Sequence, residues 1–211
     1  MTRDDPDLKQ AYGLETPEDS VRLYRQWATT YDETFAREMD YQYPATVAEV
    51  FATAAGAGDQ PVLDVGAGTG LVGQALTRSG EWVIDGLDIS GEMLDVAMEK
   101  GCYRKAIVAD LTQKLALQAE CYGSVVSAGT FTHGHVGADA LDELLRIAKP
   151  GALFALGINA QVFSSAGFEQ KFDQLGAQIS GFHIVERKIY GENSDPEHRE
   201  DTALIAVFRK A

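Results

Sequence analysis

The stretch from Val62 to Leu76, VLDVGAGTGLVGQAL, closes an apolar run with Asp64 and then places glycines at Gly66, Gly68, Gly70 and Gly73. Glycine allows a tight turn and lets the main chain approach a ligand with no Cβ in the way. Where such a loop leads into a helix, the first turn also presents unpaired N–H groups. Gly68, Gly70 and Gly73 satisfy G-x-G-x-x-G, and Asp88 lies twenty residues beyond Gly68. A dinucleotide is therefore one reading of the loop.

The residue ahead of the glycines separates the readings. A dinucleotide fingerprint begins where its strand ends, whereas here Asp64 stands before Gly66-Ala67-Gly68 and gives D-x-G-x-G-x-G. A pyrophosphate beside that carboxylate would be repelled, while a ligand carrying an ammonium or sulfonium group would be favoured. The pattern thus points to S-adenosylmethionine (SAM). A nicotinamide-dependent oxidoreductase, the alternative, leaves Asp64 unexplained, and the chain has no Tyr-x-x-x-Lys pair.

These residues need a scaffold, and the sequence supplies one. Thr16 is placed as an N-cap, with Pro17 at the first helical position and Glu18 and Asp19 in the first turn, so a helix begins there. A second helix is expected over Pro44 to Ala55. Then PVLDV, WVIDGLD, KAIVAD, GSVVSA and GALFALGI follow as compact apolar runs, each trailed by turn or helical sequence. Such runs suit strands buried on both faces, and their alternation with helices predicts a parallel sheet. HIVERKIYG and TALIAVFRK, joined by the polar ENSDPEHRE, predict a terminal hairpin and so an antiparallel strand. The class expected is α/β, a doubly wound Rossmann-like sheet of seven strands with helices on both faces and an N-terminal helical lid.

The 211 residues suit a single domain, residues 1–211, with a helical segment over 1–56 and the Rossmann-like core over 57–211. A net charge of −14 without a Lys/Arg cluster argues against nucleic acid as a partner. The apolar runs are too short to span a bilayer, and the first residues lack the apolar stretch of a secretory signal. With only Cys102 and Cys121 in the chain, a cytoplasmic location is expected. His133 and His135 lack partners at ligand spacing, so no metal is expected. Oligomeric state leaves no trace in the sequence.

LDVGAGTG, GLDISGEMLDVA, VADL and LLRIAKPGALFAL together resemble the class I SAM-dependent methyltransferases. Within them the chain is most similar to the Williams-Beuren-region methyltransferase-like proteins, through VLDVGAGTGLVG, DISGEML and the upstream Trp27-Ala28 and Tyr31-Asp32 pattern. The resemblance implies a SAM-dependent methyltransferase. Asp64, Gly66, Ala67, Gly68 and Gly70 would match the loop around the methionine moiety, Asp64 working through water or backbone. Asp88 would take the ribose hydroxyls, Ile89 and Met93 would sandwich the adenine, and Asp110 with Leu111 would meet its edge. Ala128 would lie beside the methyl-bearing end, and Tyr31 would close over SAM from the N-terminal segment.

Each residue also has an ordinary structural reading. An aspartate at a strand end caps a turn, and Tyr24, Trp27 and Tyr31 at helical spacing form a packing stripe. The three acids Asp64, Asp88 and Asp110, however, recur at the ends of successive strands and converge on one crevice. No Asn/Asp-Pro-Pro-Tyr/Phe stretch follows the fourth strand, which removes the usual signature for methylating base or glutamine amino groups. The expected acceptor is a small molecule. His133 is the candidate general base, with His135 two residues on. A SAM-binding module without turnover is the non-enzymatic alternative.

Overall fold

The computed structural model describes residues 10, 11, 13, 14, 16–133 and 135–211. The first helix, α1 (Pro17–Trp27), starts where its capping chemistry places it: Thr16 is extended and its side chain accepts from the Asp19 N–H. Acids in the first turn and Arg25 in the last suit the helix dipole. Its buried residues, Ser20, Leu23 and Trp27, fall on one face at three- and four-residue spacing. Thr16→Ala is expected to cost about 1 kcal/mol and to lower Tm by roughly 2–4 °C in a calorimetric melt.

After a π-helical turn over Asp32–Arg37 come α2 (Tyr43–Ala54), β1 (Val62–Val65), α3 (Leu71–Ser79), β2 (Ile84–Asp88) and α4 (Gly91–Glu99). Then follow β3 (Lys105–Val108), β4 (Tyr122–Phe131), α5 (Ala140–Ile147), β5 (Ala148–Asn159), α6 (Phe168–Leu175), β6 (Ile179–Lys188) and β7 (Thr202–Lys210). The seven strands form one sheet in the order β3-β2-β1-β4-β5-β7-β6. From β3 to β5 every pairing is parallel, and β7 runs antiparallel between β5 and β6. The antiparallel terminal strand is thus where the sequence put it. β6 begins earlier than HIVERKIYG suggests, because Ile179 and Ser180 already pair with Lys210 and Arg209.

Alternation along the central strands splits the core in two. Val62 and Val126 join α2, α3 and α4 in one cluster, while Leu63, Val65 and Val125 join α5 and α6 in the other. Strand order reverses between β1 and β4, which opens a crevice at the carboxyl ends of the parallel strands. Gly123 stands at the start of β4. A Cβ there would meet the Gln60 backbone at 2.6 Å, so close packing excludes any side chain.

Candidate functional site

The loop after β1 is held from both sides. The N–H groups of Gly66 and Ala67 donate to the Leu87 carbonyl at 2.8 and 3.0 Å, which binds the loop to the end of β2. Gly66 has φ +68°, and a Cβ on it would lie 1.8 Å from Thr130 Oγ1. Only glycine fits that contact with β4. Gly68, at φ +52°, faces the opposite situation: a Cβ there would meet nothing within 4 Å, so its main chain borders open space. Gly70 caps α3 in a left-handed conformation with no side-chain bond.

One large cavity lies over this loop. Ten of the twelve residues expected to bind the cofactor line it: Tyr31, Gly66, Ala67, Gly68, Asp88, Ile89, Met93, Asp110, Leu111 and Ala128. Asp88 stands at the end of β2 and accepts from the N–H groups of Gly68 at 2.8 Å and Ser90 at 2.9 Å, one on each oxygen. Carboxylate lone pairs are still left for a ligand. Burial pushes its pKa up, and the N–H groups of Ser90, Gly68 and Ile89 pull it back. Asp110 spends one oxygen on an Asx turn, accepting from the Thr112 N–H and hydroxyl at 2.8 and 2.7 Å.

Asp64, Gly70 and His133 are placed elsewhere. Asp64 is fully buried on the face covered by α3, where it accepts from the Tyr103 hydroxyl at 2.6 Å, and that oxygen in turn accepts from the Gly73 N–H at 3.2 Å. Burial above all, with the nearby charge of Asp88, raises its pKa to about 7. Asp64 does not line the cavity. Its carboxylate braces the glycine loop from behind. Gly70 packs beside Tyr103 and Ala97. His133 sits next to the cavity wall, with Nδ1 at 3.5 Å from Thr132 Oγ1.

Two features were not legible in the motifs: the partner of Asp64 and the links that hold the N-terminal segment. Tyr103 completes the Asp64 network. Asp32, the first residue of the π-helical turn, accepts from Thr69 Oγ1 at 2.5 Å and from Lys100, so the N-terminal segment is latched to the glycine loop. Arg25 also pairs with Glu92 at 2.6 Å between α1 and α4. His135, named beside His133 in the sequence, lines the cavity and faces Tyr24 on α1.

Residues 63–156 match the family described as a methyltransferase domain. Over that segment the chain is similar to methyltransferase domains. It is 29% identical to the human methyltransferase-like protein 27 over 152 residues, which are 71% of this chain and 61% of that protein. A shorter stretch of 67 residues is 37% identical to an 18S rRNA (guanine-N(7))-methyltransferase of Arabidopsis thaliana, covering 31% of this chain and 22% of that one. The chain thus spans under two thirds of the length of these curated relatives. A SAM-dependent methyltransferase structure from Aquifex aeolicus superposes with a TM-score of 0.57 at 18% identity, over 87% of this chain and 97% of that one, and shares the fold.

The crevice fits SAM, the cofactor that the sequence motifs imply. A vicinal diol needs two acceptor oxygens held apart and fixed, which Asp88 provides through its two backbone bonds. A flat heterocycle needs apolar walls, and Ile89, Met93 and Leu111 line the cavity. The open space beside Gly68 gives the main chain its approach to the ligand.

Proposed function

We propose that the protein transfers a methyl group from SAM to a small-molecule acceptor, acting as one domain over residues 1–211 in the cytoplasm. The observation that carries this reading is Asp88, fixed by Gly68 and Ser90 at the rim of a single cavity that continues into aromatic walls. SAM, when bound, supplies a methyl carbon already activated by its sulfonium. The chain's own residues then bind, orient and exclude water. Asp88 takes the ribose diol, Ile89 and Met93 sandwich the adenine, and Asp110 with Leu111 meets its edge. Gly66, Ala67 and Gly68, with Gly70 at the head of α3, carry the loop around the methionine moiety, and Ala128 lies beside the methyl-bearing end. Asp64 serves that loop through Tyr103 rather than by touching the ligand.

Tyr31 covers the site from the N-terminal segment, in edge contact with Trp27 at 5.1 Å. Such a cover, latched through Asp32 to Thr69, keeps water from competing with the acceptor. Positioning of an acceptor against an activated carbon supplies much of the rate in a displacement of this kind.

A small molecule is favoured over nucleic acid by charge. The chain has a net charge of −14, and among the described residues no Lys or Arg lines the cavity. A polyanion has nothing there to neutralise its phosphates. The test is mass spectrometry of fractionated cell extract incubated with the purified protein and SAM. The expected result is a metabolite that gains one methyl group with wild type, and gains it more slowly with Asp88→Ala at subsaturating SAM. A methyl gain only in the RNA fraction would overturn the small-molecule reading, and no gain in any fraction would favour a binding module.

A further inference from the structure

His135 and Tyr24 stand together on the cavity wall, His135 on the connection after β4 and Tyr24 on α1. His135 Nδ1 lies 2.7 Å from the His133 carbonyl oxygen. A carbonyl can only accept, so Nδ1 carries the ring proton and Nε2 keeps its lone pair. Nε2 lies 3.0 Å from the Tyr24 hydroxyl, which therefore donates to it. Burial lowers the pKa of His135, in keeping with a neutral ring. The arrangement is a hydroxyl that can take one proton from the cavity while passing its own to an imidazole nitrogen.

The surroundings define what would offer that proton. A file of rings leads from Tyr24 through Tyr31 at 6.5 Å, Phe35 at 5.0 Å and Tyr41 at 5.1 Å to Tyr190 at 5.7 Å, measured between successive centroids. All five line the cavity. Ring faces and edges at these separations favour a planar apolar guest. The acids of the wall, Asp88 and Asp110, belong to the β2 and β3 end, whereas Tyr190 follows β6 at the other end of the sheet. With no Lys or Arg on the described wall, an anionic acceptor would be desolvated without a counter-charge.

Building on the methyl-transfer reading above, we propose that the acceptor is an uncharged planar molecule bearing a hydroxyl group, and that the Tyr24–His135 pair receives its proton. The new bond forms between the acceptor oxygen and the methyl carbon. The methyl–sulfur bond breaks and leaves its electron pair on sulfur. The hydroxyl proton passes to Tyr24 Oη as the Tyr24 proton moves to Nε2 of His135, and the imidazolium returns its proton to solvent after product leaves. His135 acts through Tyr24, which touches the acceptor.

Calorimetry with three probes of one shape tests the acceptor class: 2-naphthol, 2-naphthoate and 2-naphthylmethylammonium, each titrated into the protein saturated with S-adenosylhomocysteine. The expected result is that 2-naphthol binds at least tenfold more tightly than either charged probe. Tyr24→Phe and His135→Gln should each weaken 2-naphthol at least fivefold while SAM affinity stays within twofold. Nitrogen-detected NMR of the histidine rings should show the Nδ1–H form of His135 in the wild type. A charged probe binding as tightly as 2-naphthol, no saturable binding of 2-naphthol, variants that bind it unchanged, or an Nε2–H ring would each overturn the proposal. Loss of SAM binding by the wild type would instead count against methyl transfer itself.

Discussion

Asp64→Asn is expected to remove a pH dependence of stability that the wild type carries between about pH 4 and pH 8. The folded-state pKa of Asp64 is raised from 3.8 to about 7, chiefly by burial, so across that interval the native protein holds a proton that the unfolded chain has released. Stability therefore falls as pH rises through the window and levels off above the folded-state value. At ~1.4 kcal/mol per pH unit, the full effect is about 4 kcal/mol as an upper bound. The Asn variant keeps an acceptor for the Tyr103 hydroxyl and has no charge to bury. Urea melts of both proteins at pH 4, 6 and 8 should show the wild type losing stability relative to the variant as pH rises. Parallel profiles would show that Asp64 is not held as the structure has it.

Asp88→Ala is expected to weaken SAM binding by roughly ten- to hundredfold, or about 1.5–3 kcal/mol, because two charge-assisted hydrogen bonds to the ribose are lost. The substitution also frees the N–H groups of Gly68 and Ser90, which now donate to that carboxylate. Asp88→Asn separates the two consequences: it keeps one acceptor oxygen and should fall between wild type and Ala. Calorimetric titration of the three proteins with SAM is the measurement, and equal affinities would remove Asp88 from the ribose site.

Much of this was legible in the sequence because the interior of a parallel sheet is written in continuous apolar runs. VLDV, IDGLD and TALIAVFRK each lie within strands of the observed sheet. The cap at Thr16 was equally plain, since its chemistry is local. Helix α6 was not, because it starts from Gly167 in a left-handed conformation with no side-chain cap, and its definition comes from burying Phe168, Phe172 and Leu175. The π-helical turn at Asp32 likewise depends on Thr69 and Lys100, which are distant in sequence.

Side-chain direction marks the same boundary within the site. Alternation alone puts Asp64 on the Val62 face of β1, but its partner, Tyr103, is 39 residues away. The two histidines of THGH could not be ranked by spacing. The path of the connection after β4 decides that His135 lines the cavity, while His133 offers His135 its carbonyl.

The central claim is that this crevice takes SAM, and calorimetric titration of the wild-type protein tests it most directly. SAM should bind with one site per chain, and NADH and NADPH should give no saturable heat. Saturable binding of either nicotinamide cofactor with none of SAM would contradict the account.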